Sequence, residues 1–244
     1  MSNTSKIALV TGATRGIGLE TVRGLARAGV HTLLAGRDGA KASEAALKLQ
    51  AEGLPVEAIV LDVSSQESIA TAVDAVARKF GRLDILVNNA GILLDDTSKA
   101  RGAQDLQLWR ETFDTNLFGL IAVTQAFLPL LHESPAARIV NVSSALGSLT
   151  LHADPAARLA TIKVPAYIVS KSAVNAWTLQ LAYDLKGTTA KVNSVHPGYV
   201  KTDLNKGGGE LEVAEGAETS IAMALLDDDG PSGSFQFRGD LLPW

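Results

Sequence analysis

A doubly wound α/β fold with a mostly parallel sheet is what this chain predicts, on three observations. Short apolar runs alternate with helix-length segments along most of its 244 residues. Repeated β-α-β units of this kind imply a parallel sheet covered by helices on both faces. A glycine-rich turn, TGATRGIG, joins the first run to the first helix, the arrangement such folds use to hold a phosphate. With 46% hydrophobic residues, a chain of this length can bury one full core.

Taken in order, residues 6–10 form a short apolar strand that ends in the glycine turn, and 16–28 read as a helix. Residues 32–35 give the second strand and 40–52 the second helix. VEAIVL at 56–61 is the third strand, and 68–80 the helix after it. Strands at 85–87 and 139–142 flank a long helix over 111–131, in which Pro129 is tolerable because it lies near the end. A helix over 166–185 and a strand over 192–195 follow. The sequence shows no internal repeat beyond this alternation and no linker, so residues 1–244 are expected to form a single domain. The Gly207-Gly208-Gly209 run reads as a flexible loop.

Composition narrows the function. The net charge is −4 without a Lys/Arg block, which argues against nucleic acid or an anionic membrane as partner. No cysteine is present, which excludes disulfides, thiolate metal sites and a cysteine nucleophile. The four histidines, at 31, 132, 152 and 196, are scattered without HExxH spacing, so no metal site is expected. For His196 the sequence shows no partner group, and it reads as structural. The polar start MSNTSK enters the first strand directly. A cytoplasmic protein without signal peptide or membrane span is therefore expected.

Two features carry chemistry. Gly12, Gly16 and Gly18 lack the Cβ that would keep a backbone from a pyrophosphate, and the helix N-terminus beside them favours the anion. Tyr167 and Lys171 stand four apart in YIVSK, on one face of a helix. A nearby cation favours phenolate, which would lower the phenol from its free value of about 10 and make Tyr167 a better proton donor. Together they point to hydride chemistry with a nicotinamide dinucleotide, a carbonyl reductase or alcohol dehydrogenase.

TGATRGIG has GxxxGxG spacing. It is followed in order by Asp62-Val63, NNAG at 88–91, Asn116, VNVSS, YIVSK and HPGYVKTD. In this the chain resembles the short-chain dehydrogenase/reductases over nearly its whole length. The resemblance implies a Rossmann-type fold with seven strands and a catalytic set of Asn116, Ser144, Tyr167 and Lys171. Ser144 would hydrogen-bond the substrate oxygen, with Ser143 as a packing neighbour. Lys171 would also bind the nicotinamide ribose, and Asn116 would kink its helix and complete a proton relay.

The same resemblance assigns the cofactor contacts to Gly12, Thr14, Arg15, Gly16, Ile17 and Gly18, to Asp62 and Val63, and to Asn89, Ala90 and Gly91. Tyr167, Lys171, Pro197, Gly198, Val200 and Thr202 complete them. Asn88 reads as a hydrogen bond between strands as well. The second strand ends in Gly36 and Arg37, where members that prefer NAD carry an acid. With Arg15, Arg37 suits a 2′-phosphate, so NADP(H) is the expected cofactor. Asp38 reads as the N-cap of the 40–52 helix.

Twenty-three positions separate Ser144 from Tyr167, more than in many members, and the added segment is long enough for a short helix or lid. That insertion and the tail from EGAETSIAMALL to Trp244 resemble the carbonyl-reductase branch. They leave monomer and homo-oligomer both open. Trp177 reads as core or interface. The expected activity is NADPH-dependent reduction of a small-molecule ketone or aldehyde, with the reverse oxidation. A narrower ketoacyl-carrier or steroid reductase and a non-catalytic NADP sensor are the alternatives. The pocket is expected to be built from residues 93–106, 145–166 and 203–215.

Overall fold

The computed structural model describes residues 5–154, 156 and 158–244. One sheet in the order β3-β2-β1-β4-β5-β6-β7-β8 organises the chain. Its strands are β1 (Ile7–Val10), β2 (His31–Gly36), β3 (Val56–Val60), β4 (Ile85–Asn88), β5 (Arg138–Val142), β6 (Lys191–Val195), β7 (Ser234–Phe237) and β8 (Asp240–Leu241). The first seven pair in parallel, and β8 folds back antiparallel on β7. Among the described residues the strand count is therefore eight, not seven. The addition is a two-residue return after Gly239, whose φ of +91° makes the reversal.

The helices are α1 (Gly16–Arg27), α2 (Gly39–Ala51), α3 (Gln66–Phe80), α4 (Leu106–Phe113), α5 (Leu120–His132), α6 (Leu149–Ala153), α7 (Pro165–Asp184) and α8 (Val213–Ala224). Two apolar clusters lie against the sheet. One holds Leu9, Leu86, Ile139 and Phe127, with Trp177 packed against it, and the other holds Val10, Leu34, Val87 and Val140. Alternate residues of β1, β2, β4 and β5 feed opposite clusters, which is why these strands read as unbroken apolar runs.

The long helix expected over 111–131 begins earlier, at Leu106, and is not uniform. A π-helical stretch, Asp114–Gly119, separates α4 from α5. A π turn inserts one residue into the ladder and is frequent at functional sites. The whole 106–132 segment is long and apolar enough to cross a bilayer, but half of its most apolar window is buried. Val123, Phe127, Leu130 and Leu131 of α5 sit in the core.

Strand α-carbon register aligns Asn88 with Asn141, and Asn141 with Ser194. Asn88 Nδ2 donates to Asn141 Oδ1 and to Thr124 Oγ1, each at 2.9 Å. Asn141 Nδ2 donates to Thr178 Oγ1 at 2.9 Å, and Thr178 shares a 2.8 Å hydrogen bond with Ser194. This polar rung crosses β4, β5 and β6 and reaches into α5 and α7. Asn88 thus makes the bond between strands that the sequence suggested.

Strand order reverses between β1 and β4, so their carboxyl ends open a crevice, the usual ligand position in such sheets. Asp38 N-caps α2 as expected, accepting from Ala40 N and Lys41 N. Two elements lie beyond the patterns read from sequence: α8, which packs chiefly on α1, and the β7–β8 return.

Candidate active site

The crevice is an open cleft of about 590 Å³. Gly12, Thr14, Arg15, Gly16, Ile17 and Gly18 line one end, and Asp62, Val63, Asn89, Ala90 and Gly91 its flank. Tyr167, Lys171, Pro197 and Thr202 lie at the other end. Gly198 and Val200 are outside the lining. Val200 is buried against Gly216 of α8 and bridges to Leu211.

The glycine end fits a dinucleotide pyrophosphate on its own geometry. Gly12 has φ +61°, and a Cβ there would stand 2.8 Å from Ala90 Cα. A Cβ on Gly18 would stand 2.8 Å from Gly12 O. The turn is thus drawn tight under α1, whose N-terminus has neither a side-chain cap nor an acidic residue in its first turn. Unsatisfied N–H groups of that kind bind anions. Thr11 ties the turn to β4 by accepting from Asn89 N and Ala90 N at 3.0 Å each.

Arg37 lies at the β2 end of the cleft with Arg15. Gly36 precedes it with no room for a side chain, since a Cβ would meet Thr14 Cγ2 at 2.5 Å. Ser64, through its hydroxyl and its N–H, and then the field of Arg37 hold the Asp62 carboxyl below its ordinary range. Arg15 forms an exposed ion pair with Asp203 at 2.7 Å. The pair is salt-screened and weak, so an anion can exchange for Asp203.

At the reacting end, Tyr167 and Lys171 share one face of α7, and Lys171 Nζ lies 5.6 Å from the centre of the Tyr167 ring. Both are buried. Burial pushes the Tyr167 phenol up to about 12, against a smaller lowering by its hydrogen bond with Ser144. Burial pulls Lys171 down to about 8. The lowered phenol expected from the four-residue spacing is therefore corrected. Lys171 spends its near hydrogen bond on Val142 O at 2.7 Å, and desolvation of the phenolate outweighs the cation.

Asn116 sits in the π turn and is fully buried. Its Oδ1 accepts from Ile92 N at 2.8 Å, and its Nδ2 donates to Ile92 O at 2.9 Å and to Ser170 Oγ at 3.1 Å. A Cβ on Gly91 would stand 3.4 Å from Asn116 Oδ1 and 3.6 Å from Lys171 Nζ. Gly91 therefore forms the floor between them. Ser143 Oγ donates to Lys171 O at 3.2 Å, a packing role as expected. Among its described residues the insertion before Tyr167 contributes the short helix α6 and a 3-10 turn at Arg158–Thr161.

Sequence reasoning missed Asp95. Helix α7 begins with Pro165 and has no side-chain cap from Val164. Asp95 supplies one from a distant loop, accepting from Ala166 N at 2.9 Å and Tyr167 N at 3.0 Å. The uncapped, proline-led helix start was the only signal. Asp95→Ala is expected to leave two buried N–H groups unpaired and to cost about 2 kcal/mol. Thermal denaturation should show a Tm lower by roughly 5 °C for a chain of this size; an unchanged Tm would show that the cap carries no stability. The structure also gives His196 the partner that the sequence did not show: Ala145 N donates to its Nδ1 at 3.1 Å.

An uncapped helix N-terminus behind a glycine turn, at one end of a cleft that has a tyrosine and a lysine at the other, is the pattern of a dinucleotide-dependent oxidoreductase; Ser144 and Asn116 lie behind that lining. The short chain dehydrogenase family model matches residues 6–211, and the chain belongs to that family. It is 33% identical to (+)-neomenthol dehydrogenase of Capsicum annuum, over 98% of each chain. Identity to carbonyl reductase [NADPH] 1 of Mus musculus is 34%, over the full length of both. Among solved structures it is similar to salutaridine reductase from Papaver somniferum, with a TM-score of 0.82 and 31% identity, covering 94% of this chain and 99% of that one.

Proposed function

We propose that this protein is an NADPH-dependent reductase of small ketones or aldehydes, able to run the reverse oxidation. The observation that carries the reading is the buried pair of Tyr167 and Lys171, 5.6 Å from ring centre to Nζ, both lining a cleft that fits a dinucleotide. When bound, the reduced nicotinamide supplies the hydride. Ser144 then orients the carbonyl oxygen, and Tyr167 donates the proton that neutralises the developing alkoxide. Lys171 stabilises the phenolate left behind, and Asn116 fixes the loop at Ile92 that walls the site.

Leu93, Leu94, Leu204 and Val213 line the cleft with Tyr167, which favours an apolar carbonyl compound. Relatives named neomenthol dehydrogenase and carbonyl reductase, the latter name including NADPH, support the same reading. For the cofactor, Arg37 and Arg15 suit a 2′-phosphate, and Asp38 is committed to capping α2.

The direct test follows nicotinamide absorbance with NADPH or NADH and a panel of cyclic, aryl and keto-ester substrates. Faster consumption with NADPH is expected; no consumption with either, despite measurable NADPH binding, would remove the reductase reading. Arg37→Glu should weaken NADPH about 100-fold, from the loss of one charge-assisted contact and a new repulsion, and leave NADH within a few fold. Equal loss of both in a binding titration would remove the phosphate assignment.

A further inference from the structure

We propose that His196 is a positioning residue for the Ser144 hydroxyl, holding the turn that presents it and tying that turn to the loop that begins at Pro197. The inference rests on the reductase reading of the site. Within the 144–147 turn, Leu146 N donates to Ser144 Oγ at 3.2 Å and Gly147 N to Ser144 O at 2.8 Å. Ala145 N finds its acceptor outside the turn, in His196 Nδ1 at 3.1 Å.

Both ends of the turn are thus clamped. At Gly147 a Cβ would stand 2.7 Å from the Lys171 carbonyl carbon, so the turn presses on the α7 backbone at the lysine itself. At Ala145 the imidazole holds the peptide next to the serine. The ring is in turn packed against Phe237, with centroids 5.0 Å apart, and the backbone that carries it is tied to β7 by His196 N donating to Gln236 O at 2.9 Å. Burial pulls the imidazole down to about 4, which keeps the Nδ1 lone pair available at neutral pH.

Without that acceptor, Ala145 N–H must rotate to find another. Rotation of the peptide between Ser144 and Ala145 moves the serine hydroxyl relative to Tyr167. His196 is also followed directly by Pro197, which lines the cleft. One side chain therefore links the wall that orients the carbonyl to the loop on the cofactor side.

Three substitutions separate this role from plain packing. An asparagine Oδ1 falls where the imidazole Nδ1 stands, a glutamine Oε1 falls a bond farther out, and leucine has no acceptor. For H196N, H196Q and H196L, kcat and KM for a ketone are measured at saturating NADPH, with NADPH Kd and the hydrogen exchange of the Ala145 amide. H196Q and H196L should lose about 10- to 100-fold in kcat, as expected for a slight misplacement of a catalytic group, with NADPH Kd nearly unchanged and Ala145 exchanging faster. H196N should restore most of kcat and the slow exchange.

Wild-type turnover in H196Q, equal damage in H196N and H196Q, or loss of NADPH affinity in step with kcat would each overturn the proposal. If H196L does not fold, the Asn–Gln comparison decides. An inactive wild type that binds NADPH would remove the reductase reading. In that case unchanged Ala145 exchange in H196Q would overturn the hold itself, and faster exchange would sustain it.

Discussion

Replacing Tyr167 with phenylalanine is expected to cut ketone turnover about a thousandfold, the size of a positioned general acid. NADPH affinity should stay within a few fold, because the ring remains and only the hydroxyl leaves. The hydroxyl touches Ser144, and its phenol is pushed up to about 12 by burial. A group with that value stays protonated across the neutral range and is a weak acid, so it gives up its proton only to a strong base such as the developing alkoxide. Stopped-flow absorbance with preloaded NADPH checks this. Turnover within tenfold of wild type would take Tyr167 out of the role of acid.

Lys171→Met should combine the opposite effects: activity falls about 100-fold with the loss of the cation, and the fold becomes more stable. The sign follows from the direction of the shift. Burial lowers the Lys171 ammonium from 10.5 to about 8, so the folded protein holds this proton more weakly than the unfolded chain does. The charge therefore costs stability at every pH below about 8, and the cost fades as pH rises from there towards 10.5. Methionine fills similar space without the charge, and a gain of about 1–3 kcal/mol at pH 7 is expected. Denaturation at pH 7 and pH 10 checks it: the advantage should shrink at the higher pH. A variant less stable than wild type at pH 7 would mean that the bond to Val142 O outweighs desolvation.

Such an outcome fits a site that carries strain for function, and it marks where sequence reading stops. The strands up to β6 and the helices α1, α2, α3 and α7 were legible because each declares itself locally, by an apolar run, an Asp38 cap or a glycine turn. The glycine turn, NNAG, Ser144 and the Tyr167–Lys171 pair were legible because they are short motifs. Asp95 was not, since it caps a helix 71 residues downstream. Nor was the partner of His196, 51 residues away in sequence. The direction of the Tyr167 shift depends on burial of phenol and ammonium together, and spacing on a helix carries no information about that. The π turn at Asn116 likewise follows from a fit to Ile92 and Ser170 in space.

The rung of Asn88, Asn141 and Ser194 has a consequence for alignment along the strands. Sliding β5 against β4 by one residue would turn each amide to the other face of the sheet, stranding polar groups in the core at a penalty of about 1–3 kcal/mol apiece. Apolar side chains alone would resist that slip less, because valine and isoleucine are nearly interchangeable between neighbouring rungs. The amides thus act as index marks that fix how far each strand extends. Asn89–Gly91, Ser143–Ser144 and His196–Pro197 all leave the sheet immediately beyond those marks. Two of these shelves line the floor of the cleft and the third presents the serine, so they emerge level with one another, and the working surface of the molecule is set by bookmarks placed one to three residues beneath it.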